Sequence, residues 1–237
     1  MRLKLVSYAS PDHFPKPIEV LFQFLQASSG RSFNCWPLVA DFFREVLVEE
    51  GEACWKQRFE DMADRHFLRD ARIKSKLWEL LRAVYSLKLD GGKDPRGRFL
   101  EYVVYKTLPY VVTEHGESQY ECAVHEDLGR GRTRPVVNST ATFDAAFLND
   151  SAFEGHECKA NAVNFLCRKG ALSEPAQRKL QYMRNVSHVV QENGQACHLF
   201  LVSFHQRPTS IQALLAHAGF SDVRVLGAED IERRLVA

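Results

Sequence analysis

Asp144, Glu157 and Lys159 are the residues whose types and spacing point to chemistry. They fall in the stretch TATFDAAFLNDSAFEGHECKAN, residues 140–161. Residues 140–148 form an apolar run interrupted by Asp144 and read as a strand. Asn149, Asp150 and Ser151 are turn formers. Residues 153–160 read as a second strand carrying Glu157 and Lys159. Side chains alternate across a strand, so Glu157 and Lys159 share one face and Cys158 points to the other. A hairpin sets Asp144 beside Glu157. Two neighbouring carboxylates repel and call for a cation, and hard oxygen donors favour Mg²⁺ or Mn²⁺. The competing reading is a solvated hairpin face with a surface ion pair.

Asp144 followed by Glu157-Cys158-Lys159 resembles the active-site hairpin of the PD-(D/E)XK nucleases, the restriction-endonuclease-like superfamily. Phe143 stands where that pattern has Pro. The run Gly97 to Glu101, G-x-x-L-E, resembles the helix that opens the superfamily core, where many members carry a Glu that reaches the metal site. Gln177 and Tyr182 stand one residue too far apart to match the Gln-x-x-x-Tyr of RecB-like members. The likeness spans about residues 94–205 and leans loosely toward CRISPR-linked and other defence nucleases.

The resemblance implies an α/β fold with a restriction-endonuclease-like core, a mixed central sheet flanked by helices. It implies metal-dependent phosphodiester hydrolysis, with DNA favoured over RNA, in defence against foreign DNA or in DNA processing. Asp144, Glu157 and the Cys158 carbonyl would hold Mg²⁺ or Mn²⁺, and Glu101 a second ion or a metal-bound water. Lys159 would orient the attacking water and offset charge in the transition state. A catalytically inert nuclease fold that binds nucleic acid or assembles with a partner is the alternative.

The elements that must position these residues are legible around them. Residues 18–26, 37–68 (divided at Gly51) and 73–87 show helical spacing of apolar side chains. The segment DGGKDP, residues 90–95, breaks the pattern and suggests a helical N-terminal region, 1–90, ahead of a nuclease-like domain, 91–237. Residues 96–108 read as a helix, 119–125 as a strand, 175–191 as a helix and 198–204 as an apolar strand. Residues 211–217, 223–226 and 228–235 read as helix, strand and helix. Residues 163–173 connect the hairpin to the helix at 175–191.

Several basic residues are candidates for phosphate contacts. Arg96 and Arg98 open a helix, where their charge opposes the helix dipole, which hints at something anionic nearby. Arg130, Arg132 and Arg134 lie in a Gly-rich loop that either clamps phosphates or is solvated. Lys179 and Arg184 lie on the helix at 175–191. His156 alternates away from Glu157 and reads as structural, while His205 ends a strand.

The chain has 237 residues, an ordinary globular composition and a formal net charge of +1, so no global basic field announces nucleic acid. Six scattered cysteines without a C-x-x-C pair exclude a zinc pattern and a secreted disulfide framework. No signal peptide or membrane span is expected, which points to a cytoplasmic protein. The partner expected is nucleic acid. A homodimer would suit cutting of both strands, and the helical N-terminal region is free to bind a protein partner.

Overall fold

The computed structural model describes residues 1–9, 14–28, 34–89, 92–168 and 171–235. Asp90 and Gly91, in the expected break between the two regions, lie outside them. In chain order the elements begin with β1 (Leu3–Ser7), α1 (Lys16–Ser28), α2 (Trp36–Glu45), a 3-10 turn (Val48–Glu50), α3 (Glu52–Arg65) and α4 (Ala71–Tyr85). Then come α5 (Pro95–Thr107), β2 (Glu117–Asp127), β3 (Thr133–Pro135), β4 (Phe143–Leu148), β5 (Ala152–Cys158) and α6 (Ala162–Leu166). The rest are β6 (Cys167–Arg168), β7 (Ala171–Leu172), α7 (Glu174–Glu192), β8 (Ala196–Val202), α8 (Thr209–His217), β9 (Val223–Leu226) and α9 (Ala228–Leu235).

Local chemistry sets the boundaries. Asp94 accepts the Arg96 N–H at 2.9 Å and Pro95 opens α5, while Ser173 caps α7 ahead of Pro175. Gly51 divides the long helical stretch because it sits at φ +82°, a conformation side chains disfavour. Asn149 closes the β4–β5 turn by accepting the Ser151 and Ala152 N–H groups.

Among the described residues the main sheet has seven strands, ordered β1-β2-β4-β5-β8-β9, with β3 beside the far end of β2. The pairs from β1 to β5 are antiparallel, and β5-β8 and β8-β9 are parallel. The sheet is therefore mixed, as expected. One difference concerns the N-terminus. Residues 3–7 form an edge strand against β2, so the first region is not purely helical. The connection from β5 to α7 holds the short α6 and the β6–β7 ladder.

Helices cover both faces. Helices α1 to α5 and α9 bury a core against Ala145, Cys158, Phe200 and Val202. Helices α6 to α8 bury another against Phe143, Phe153, Leu199 and Leu201. Strands buried on both faces normally read as continuous apolar runs. β5 does not: Glu154, His156 and Glu157 are all buried within it. Gly155 fits between them because the Phe143 ring fills the space where a Cβ would stand. Buried charges must be paired, and where their partners lie defines the site.

Candidate active site

The start of β4, the end of β5 and the first turns of α5 meet around a cleft of about 420 Å³. Glu101, Glu121, Asp144, Cys158 and Lys159 line it, and Asn161 follows from the loop after β5. Asp144, Lys159 and Glu101 line one cleft, and Glu157 lies behind it in contact with Lys159.

Lys159 sits at the centre of the hairpin residues. Its Nζ lies 2.6 Å from Glu157 Oε1, 3.7 Å from Asp144 Oδ2 and 3.0 Å from the Cys158 carbonyl oxygen. The ammonium thus touches all three donors expected to hold a metal. Asp144 Oδ2 also accepts the Cys158 N–H at 2.7 Å. Burial works against the ammonium, but Asp144 and Glu157 outweigh it, so Lys159 is held above its usual range and stays charged.

Glu157 differs from the sequence picture. It is 3% exposed and does not line the cleft. Its second oxygen, Oε2, faces Lys179 Nζ at 2.6 Å. Lys179 comes from α7 on the opposite side of the strand pair and also donates to the Thr142 carbonyl. Burial and then the charge of Asp144 raise the Glu157 carboxyl, against the pull of the two lysines. For Asp144, burial raises, but Lys159, Lys179 and the Cys158 N–H prevail and leave it below its usual value.

Glu101 reaches the cleft from α5. Its Oε2 accepts Tyr120 Oη–H at 2.7 Å and Arg98 Nη1–H at 3.1 Å. Burial, then the charge of Asp144, pushes its carboxyl up to about 8. Beside it, Glu121 takes φ +44° within β2 and pairs with Lys93 at 3.1 Å. A non-glycine residue in that region is uncommon in a strand, and such outliers gather at sites where a side chain is re-aimed.

The basic residues expected to bind phosphates are corrected in several places. Arg98 is buried, with its guanidinium 4.4 Å from the Phe14 ring centre and 4.6 Å from that of Tyr120, so it positions Glu101 and does not face solvent. Arg96 lines the cleft wall but is engaged by Asp94 and the Val46 carbonyl. The anionic groups hinted at by these helix-opening arginines are the protein's own carboxylates. Lys179 serves Glu157, not solvent. Arg184 bridges α7 to Asp222 and the Gly219 carbonyl and stacks on Phe220, a packing role remote from the cleft lining. Arg130 and Arg132 sit on the β2–β3 turn and Arg134 in β3, all outside the cleft lining, and Arg134 pairs with Glu126 across the strands.

Other residues behave as read or were missed. His156 is fully buried, 3.3 Å from Glu154 and stacked on Phe200. His205 Nδ1 bonds the Ser203 hydroxyl at 2.9 Å. Tyr120 and Glu121 were not singled out from sequence, although a Glu in a strand facing Asp144 carries a detectable signal. Glu154 was missed too. It shares a strand face with His156 and Cys158 and accepts the N–H groups of Tyr110, Val111 and Val112, each at 2.7 Å.

No family model matches the chain, and no curated protein matches it. Among solved structures, the crystal structure of protein VC1899 from Vibrio cholerae is similar at 16% identity and a TM-score of 0.42. The match covers 98% of this chain and 57% of that one, so this chain spans a little over half the length of that protein. A likeness of that size transfers neither fold nor function.

Proposed function

We propose that this protein is a divalent-metal-dependent nuclease with a restriction-endonuclease-like core, acting on DNA in preference to RNA. One observation carries the reading: Lys159 Nζ contacts Asp144, Glu157 and the Cys158 carbonyl at once, beside a cleft that Glu101 also enters. The Asp and Lys of the hairpin motif and the helix Glu line one cleft, with the motif's Glu157 bound to the lysine behind it, which supports the nuclease reading.

The donor set suits a hard cation. Among the described residues no three Asp, Glu, His or Cys side chains are grouped closely enough to hold an ion alone. Asp144, Glu101 and the Cys158 carbonyl, which all line the cleft or border it, supply oxygen donors of the kind Mg²⁺ and Mn²⁺ prefer. The attraction of this group for a cation is already expressed in the position of the Lys159 ammonium. An ion bound there would polarise the scissile phosphate and lower the pKa of its water.

The chain's own residues do the rest. Lys159, charged and held by Glu157, offsets negative charge that builds on the phosphate in the transition state. Glu157 acts as the anchor of that lysine, and Lys179 fixes the anchor. Arg98 and Tyr120 hold Glu101 toward the cleft. Lys93 and Asn161 at the cleft rim can contact a phosphate backbone without reading bases.

The same contacts favour a second reading. With both Glu157 oxygens on lysines and the ammonium across the donors, the fold could serve as an inert nucleic-acid-binding or assembly module. Incubating single- and double-stranded DNA and RNA with Mg²⁺, Mn²⁺ or EDTA separates the two. Metal-dependent cleavage that disappears in Lys159→Ala supports the nuclease. Binding without cleavage under every condition leaves the module.

A further inference from the structure

A second cleft, of about 340 Å³, lies at the other end of α5. Tyr110, Phe200, Arg224, Asp230, Arg233 and Arg234 line it. α5 separates it from the Asp144 cleft: residues 94–101 border one and Tyr110, just past the helix, borders the other. At 1.5 Å per residue the nine steps from Glu101 to Tyr110 amount to about 13 Å. The first cleft balances Lys93, Arg96, Arg98 and Lys159 against Asp94, Glu101, Glu121 and Asp144, whereas the second is not balanced. Three guanidinium groups face one carboxylate.

Two of the three arginines have no carboxylate partner among the described residues. Arg224, exposed on β9 at the edge of the sheet, lies 5.5 Å from the Phe200 ring centre. Arg234 lies 5.3 Å from the Tyr110 ring centre and donates to the Tyr110 carbonyl. Arg233 takes the Asp230 carboxylate at 2.6 Å. The rings brace Arg224 and Arg234, and apart from the bond to the Tyr110 carbonyl their N–H groups are left to bind other groups. The floor is rigid as well. Tyr110 is fixed by the Glu154 carboxylate through its backbone N–H, and Phe200 stacks on His156 at 4.8 Å.

We infer that this cleft is a binding site for a phosphate-bearing ligand, distinct from the Asp144 cleft. Guanidinium forks match phosphate oxygens in pairs, and the surplus of positive charge suits a multiply charged anion. The ligand chemistry is that of a polyphosphate, supplied either by a free nucleotide or by the backbone of a nucleic-acid strand. The inference does not depend on the nuclease reading.

The test is calorimetry on the full chain in EDTA, with inorganic pyrophosphate, ATP and a short oligothymidylate as probes. At least one probe should bind, and Arg224→Gln and Arg233→Gln should each weaken it about tenfold or more, with unchanged melting temperature. Lys159→Ala should bind that probe as tightly as the wild type. Saturation by pyrophosphate or ATP assigns the site to a free nucleotide, and oligothymidylate binding alone assigns it to a strand. The inference fails if no probe binds at millimolar concentration, if neither arginine variant weakens binding, or if Lys159→Ala abolishes it.

Discussion

Lys179 Nζ lies 2.6 Å from Glu157 Oε2, while Lys159 Nζ lies 2.6 Å from the other oxygen of the same carboxylate. A buried Glu is thereby shared between a hairpin lysine and a helix lysine. This tie links α7 to the end of β5 and holds the side chain most in need of a fixed position. Breaking a buried pair by removing one partner costs roughly 3–5 kcal/mol. Lys179→Met leaves Glu157 with Lys159 alone, so it should lower the unfolding free energy by up to about that amount, measured by urea denaturation. It should also reduce cleavage, because Glu157 then anchors Lys159 less firmly. Unchanged stability would show that Glu157 and Lys179 are not a buried pair in solution.

The position of the Lys159 ammonium sets up a competition. It occupies the same oxygens that a divalent ion would use. Lys159→Ala should abolish cleavage yet bind Mn²⁺ on the order of tenfold more tightly, the size of one charge contact of about 1.4 kcal/mol. Asp144→Asn should remove binding. Titration calorimetry of both variants checks the pair. Weaker Mn²⁺ binding in Lys159→Ala would mean that the lysine and the ion do not share donors.

Glu101 depends on its supports. Tyr120→Phe removes the 2.7 Å donor to Glu101 and leaves the ring in place. With Arg98 still bound at 3.1 Å, the fold should survive, and the loss should fall on kcat more than on KM. Roughly tenfold lower kcat is expected, in line with the loss of one partly buried hydrogen bond. Steady-state cleavage rates decide it. An unchanged kcat would place Glu101 outside the reaction.

Much of this arrangement was legible in the residues, and the limit was distance along the chain. The β4–β5 hairpin declares itself because Asn149, Asp150 and Ser151 sit between two apolar runs, so Asp144 and Glu157 could be set side by side. α5, α7 and the parallel strand β8 follow from periodicity and caps. What failed is what depends on remote partners. β1 is only five residues long and reads as a strand only through β2, far along the chain. Arg98 looks solvent-facing until Phe14 and Tyr120 close over it. Lys179 looks like a phosphate contact until α7 packs across the hairpin and delivers it to Glu157.

Glu154 makes stability depend on acid. Burial raises its carboxyl, but His156 and the N–H groups of Tyr110 and Val112 overcome that and hold it down at about 2, against an ordinary 4.5. A group depressed in the fold contributes stability that is present above its unfolded value and is lost as pH falls through its folded value. The contribution, on the order of 3 kcal/mol, should thus be complete above pH 4.5 and vanish toward pH 2. Melting temperatures across that window should fall steeply for the wild type. Glu154→Gln should be less stable at neutral pH and lack that part of the fall. Parallel curves for the two proteins would remove Glu154 from the account.

The last prediction concerns how nucleic acid is held. Glu121 lines the cleft, and β2 runs on from it to Asp127 before the turn that carries Arg130 and Arg132 and leads to Arg134 in β3. At about 3.3 Å per residue the turn begins roughly 20 Å from Glu121, too far for the scissile phosphate but within reach of the strand on either side. Contacts there would position the backbone without reading bases. Each phosphate neutralised contributes about 0.7 to 0.9 to the log–log salt slope. The Arg130/Arg132/Arg134 triple alanine variant should bind DNA more weakly and with a shallower slope, by up to three such contacts. Its Mn²⁺ affinity should not change, because no metal donor lies on the turn. Fluorescence anisotropy across a salt series, with calorimetry for the ion, measures both. A slope equal to that of the wild type would take the turn out of the nucleic-acid path, and efficient cleavage of RNA with DNA left intact would reverse the choice of substrate.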